Sequence, residues 1–162
     1  MMELKRISKE ALPKALELAE HYRLLNEPEQ AESICKDVLE VEADNQLAIR
    51  LMLLAITDQF GRRQSATVQH AQEVAAMLKD EYEQLYYSGV MMERFARAKL
   101  HEHAHMNMVR DWIHRAMEMF EKAQEIRPSG NDAALLRWNT CARLLQRLPK
   151  ANDAVHTPDY GD

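Results

Sequence analysis

The chain has 162 residues, enough to bury one core without staples. Four Gly and five Pro argue against a turn-rich sheet protein, and 46% hydrophobic beside 29% charged residues excludes a disordered or fibrous chain. A net charge of −5 excludes a duplex nucleic-acid binder, which needs clustered positive charge.

In chain order, the first amphipathic helix is predicted over residues 12–25, where Leu12, Ala15, Ala19 and Tyr22 recur at steps of three and four. Ser8 is its candidate cap. Asn26 then stops it, and Pro28 opens a second helix over 28–41, with Ala31, Ile34, Cys35, Val38 and Leu39 on one side. Asn45 caps a third, over 46–60, which is apolar most of the way round and therefore central to the core. Residues 61–65 end it. A fourth helix is predicted over 66–87 from the stripe Ala71, Ala75, Leu78, Tyr82 and Leu85, with a break at Ser88-Gly89. A fifth runs over 90–105, Asn107 is the expected turn, and a sixth runs over 108–127 to Pro128. Asn131 or Asp132 caps a seventh over 133–148, which Pro149 stops. The polar tail, residues 151–162, carries no helical stripe and is expected to be flexible.

The expectation is one all-α domain, residues 1–150, of about seven antiparallel helices. No segment approaches the ~18 apolar residues of a membrane span. The opening MMELKRISKEAL has no signal-peptide pattern. Cys35 and Cys141 read as reduced core thiols. Together these predict a cytoplasmic protein.

Two stretches share one spacing. Ala31, Cys35, Val38 and Ala43 stand at offsets of zero, four, seven and twelve, and so do Ala116, Phe120, Ala123 and Pro128. Ala19 and Tyr22 precede the first set. This pattern resembles the tetratricopeptide repeat, a helix–turn–helix unit of ~34 residues. Residues 113–128 and 12–45 carry it best, whereas 46–87 lacks the signature. The resemblance implies a right-handed α–α superhelix of about three units and a C-terminal capping helix. It further implies an adaptor that holds a peptide or helix of a partner protein in a concave groove. The first helices of each pair would line that groove, making Arg23, Arg50, Gln59, Arg94 and Arg97 the candidate contacts. The carboxylate clamp of one branch of the family is missing, since Leu16, Glu20 and Leu51 stand in the corresponding stretches. Three units are near the minimum for such a fold, so partner binding or self-association into a homo-oligomer would help hold it.

The sharpest local motif is His101-Glu102-His103-Ala104-His105. His101, Glu102 and His105 match HExxH, which on a helix puts two imidazoles on one face with a carboxylate base. Asp111 falls where a third ligand could stand, but Met108 replaces the required Gly and no strand pattern exists to hold a substrate. Proteolysis is therefore not expected. A non-catalytic Zn, Ni or Cu site on His101 and His105, with His103 or His114 nearby, is the alternative reading. Otherwise no cofactor is expected, because the chain has neither a phosphate loop nor a Ser or Cys nucleophile motif. Met91, Met92, Met106, Met108, Met117 and Met119 cluster in the third unit and suit either core filling or an adaptable partner surface. Arg137, Arg143, Arg147 and Lys150 give the last helix a basic face.

Overall fold

Seven α-helices run through residues 1–150, the part of the chain that this computed structural model describes: α1 (Leu12–Leu24), α2 (Pro28–Val41), α3 (Gln46–Asp58), α4 (Val68–Ala75), α5 (Glu81–His101), α6 (Met106–Glu125) and α7 (Ala133–Arg147). A single 3-10 turn, Lys9–Ala11, leads into α1. No strand occurs among the described residues, and none of their helices is long and apolar enough to cross a membrane. The predicted tail, 151–162, lies outside the described residues.

The helix starts follow from short polar side chains that satisfy free backbone N–H groups. Asn45 accepts from Ala48 N at 2.9 Å, Thr67 from His70 N at 3.1 Å and Asp80 from Glu83 N at 3.1 Å. Asn131 accepts from Ala133 N at 3.1 Å before α7. Ser8 stands before the 3-10 turn rather than before α1, whose N-cap is Ala11, and its side chain makes no cap bond.

Two helices end on a left-handed residue. Asn26 (φ 62°) follows α1, with Glu27 N donating to Tyr22 O at 2.8 Å and Asn26 N to Arg23 O at 3.0 Å. His103 (φ 56°) follows α5, with Ala104 N donating to Lys99 O at 3.0 Å and His103 N to Leu100 O at 3.2 Å. Both are Schellman ends, where Gly is the unstrained choice. Asn tolerates this conformation better than His does. His103→Gly is therefore expected to raise stability by roughly 1 kcal/mol, read as a higher urea midpoint at unchanged slope. An unchanged or lower midpoint would count against the strain.

The middle of the chain departs from the sequence reading. The predicted helix 66–87 is two helices, because residues 76–80 turn and Asp80 caps a new start. The apolar stripe ran across this turn because Leu78, inside it, is buried with Ala71 and Ala75 in one core. The predicted break at Ser88-Gly89 is absent, and α5 runs straight through it. Gly89 serves space rather than bending: a Cβ there would stand 2.5 Å from Phe120 Cε1. The predicted helices 90–105 and 108–127 also shift, since the turn is 102–105 and Asn107 lies inside α6.

Successive helices pack as hairpins. Phe95 meets Trp112, and Gly89 meets Phe120, so α5 and α6 run antiparallel. Arg50 pairs with Glu83, and Asp58 with Arg94, so α3 and α5 run parallel. Two apolar cores result. One gathers α1 to α4 with Met91 of α5; the other gathers α5, α6 and α7 around Phe120 and Ile113. Met92 packs against both and ties them together. Buried Met91 and the partly buried Met92, Met106 and Met117 are thus core filling.

Cys35 and Cys141 are free and buried, one in each core. Burial first, then the charge of Glu32, pushes the Cys35 thiol up from 9.0 to about 12. Burial, then Glu93, does the same at Cys141. At pH 8 the thiolate fraction of each is then on the order of 10⁻⁴. Neither should react with a thiol reagent until the chain unfolds, when two equivalents should label. Because the folded thiols titrate higher than unfolded ones, their contribution to stability is complete below pH ~9 and declines as pH rises from there towards 12. Rapid native labelling would contradict this.

Candidate functional site

The helices that alternate along the chain, α1, α3, α5 and α7, are joined by a chain of charged side chains. Asp58, at the end of α3, receives two arginines. Arg23 Nε of α1 donates to Asp58 Oδ2 at 2.7 Å, and Arg94 Nη1 of α5 donates to Oδ1 at 2.7 Å. Arg94 Nη1 also reaches Thr57 Oγ1 at 2.9 Å and the Leu54 carbonyl at 3.3 Å. The next residue back along α5 is Glu93, only 2% exposed. Its Oε2 accepts from Arg137 Nη1 of α7 at 2.6 Å, and its Oε1 accepts from Cys141 Sγ at 3.4 Å. Arg97 Nη2 stands 3.7 Å from the same carboxylate. Arg137 Nε donates to Tyr86 Oη at 3.2 Å.

Four guanidiniums therefore converge on two carboxylates, which leaves an excess of positive charge on this seam. Arg94 records the crowding. Burial is the largest influence and pulls its pKa below the ordinary range; Asp58 opposes this, while the charges of Arg23 and Arg137 add to it. The seam is partly open to water, and Arg97 is its most exposed arginine, with 41% of its side chain accessible.

Of the five residues expected to line a groove, three join alternate helices, and Arg97 reaches only a carboxylate of its own helix. Arg23 and Arg94 share Asp58, Arg97 faces Glu93, and Arg50 pairs with Glu83 of α5 at 3.0 Å. Gln59 does not join them. α3 stops at Asp58, so Gln59 turns inward at 4% exposure, donating to the Ala55 carbonyl at 3.0 Å and to Glu32 Oε2 at 3.4 Å. Asp58, Glu93 and Arg137 were not singled out as site residues from sequence. Their pairings span 35 to 44 residues, and no local pattern announces such a partner.

The histidine motif is not on one helix. α5 ends at His101, His103 is the left-handed residue of the turn, and His105 is the N-cap of α6, its Nδ1 accepting from Asn107 N at 3.3 Å. The four-residue helical spacing that would put His101 and His105 on a common face is thereby broken. Among the described residues, no group of three or more His, Cys, Asp or Glu is placed to hold a metal ion.

No protein-family model, curated protein or solved structure matches the chain.

Proposed function

We propose that the chain is a protein-interaction adaptor, built as a tetratricopeptide-like right-handed superhelix, that holds a peptide or helix of a partner along the face shared by α1, α3, α5 and α7. The observation that carries this reading is the arginine seam. It is partly open to water and holds more positive than negative charge, in a chain of net charge −5.

The spacing of contacts between hairpins supports the array. Arg23 meets Asp58 at a separation of 35 residues, Arg50 meets Glu83 at 33, and Asp58 meets Arg94 at 36. Outside the seam, Asp44 meets Lys79 at 35 and Asn26 meets Arg62 at 36. Equivalent places in successive units are thus joined near the ~34-residue period of the repeat. The step from Glu93 to Arg137 is 44 residues, as expected where the long α5 and α6 enlarge the third unit. Two free thiols and the absence of a membrane-length helix among the described residues fit a cytoplasmic setting.

Arg94 is a poor handle for a test, because it holds α3 through three acceptors. Arg50→Gln with Arg97→Gln removes one charge of the seam and one beside it on the same helices, both more exposed than Arg94. With the variant as control, immobilised chain should retain a small set of proteins from the lysate of its own organism. The variant should keep its helical circular dichroism and lose those proteins. Equal retention by both would refute the seam as the binding face.

A further inference from the structure

We draw no further inference here: the strongest candidate, the aromatic hollow between the α3–α4 connection, α5 and α6, carries nothing, because Arg62, Arg63 and Lys99 at its lining are already held by Asn26, by Glu29 with Glu32, and by Glu102 respectively, and nothing in the structure shows what covers it.

Discussion

Gly89→Ala is expected to destabilise the protein by about 1–2 kcal/mol, although the change should favour the helix. In an exposed helix interior, Gly to Ala gains ~1 kcal/mol. Here the added methyl would stand 2.5, 2.8 and 2.9 Å from Cε1, Cδ1 and Cζ of Phe120. That ring is fully buried and also packs against Tyr86 at 6.0 Å, so it has little room to retreat. Overpacking of this kind costs roughly 1–3 kcal/mol and exceeds the propensity gain. Phe120→Leu removes part of the obstruction and should itself destabilise by leaving space. The double variant should then lose less than the two single losses added together. Urea titrations of the four proteins measure this coupling. A neutral or stabilising Gly89→Ala would show that α5 and α6 are not held as closely as described.

Removing the buried carboxylate should cost more. Glu93→Ala is expected to destabilise by about 3 kcal/mol, because a buried pair broken from one side leaves its partner charge uncompensated. Glu93 is the only described carboxylate that joins α7 to α5, and it takes Arg137 at 2.6 Å and Cys141 at 3.4 Å. Arg137 keeps 31% of its side chain exposed, so water recovers part of the loss, and the value sits at the low end for such pairs. Arg137→Ala leaves Glu93 almost fully buried beside Arg97 alone and should be of similar size. The double variant should again fall short of the sum. Strict additivity of the two single changes would refute the pairing.

Elements with a signal at both ends were legible in the sequence. α1 and α2 fall within a residue of their sequence bounds because Asn26 and Pro28 mark the stop and the start; α3 starts where Asn45 caps it but ends at Asp58, two residues before the expected 60, because its apolar run continues through buried Phe60 past the last helical turn. The errors fall where the deciding partner is remote. Gly89 reads as a break unless Phe120 is known to press against it. The turn after α5 was hidden because His103, not Gly, takes the left-handed conformation, so HExxH read as one continuous helix. At the candidate site, Arg23, Arg50, Arg94 and Arg97 are legible as a set because the sequence places them on α1, α3 and α5. The carboxylates that organise them were missed, because Asp58 and Glu93 acquire meaning only when residues 35 to 44 positions away fold beside them.

The central claim is that partners lie along the face of α1, α3, α5 and α7. Site-specific photo-crosslinking tests it most directly. A photoreactive residue would be placed singly at Arg50 or Arg97 on that face, and at exposed Glu40 of α2 or Glu118 of α6 as controls. Covalent adducts with the same partner should form from positions 50 and 97 and not from 40 or 118. Adducts from 40 or 118, with none from 50 and 97, would contradict the account and move the binding surface to the outer helices.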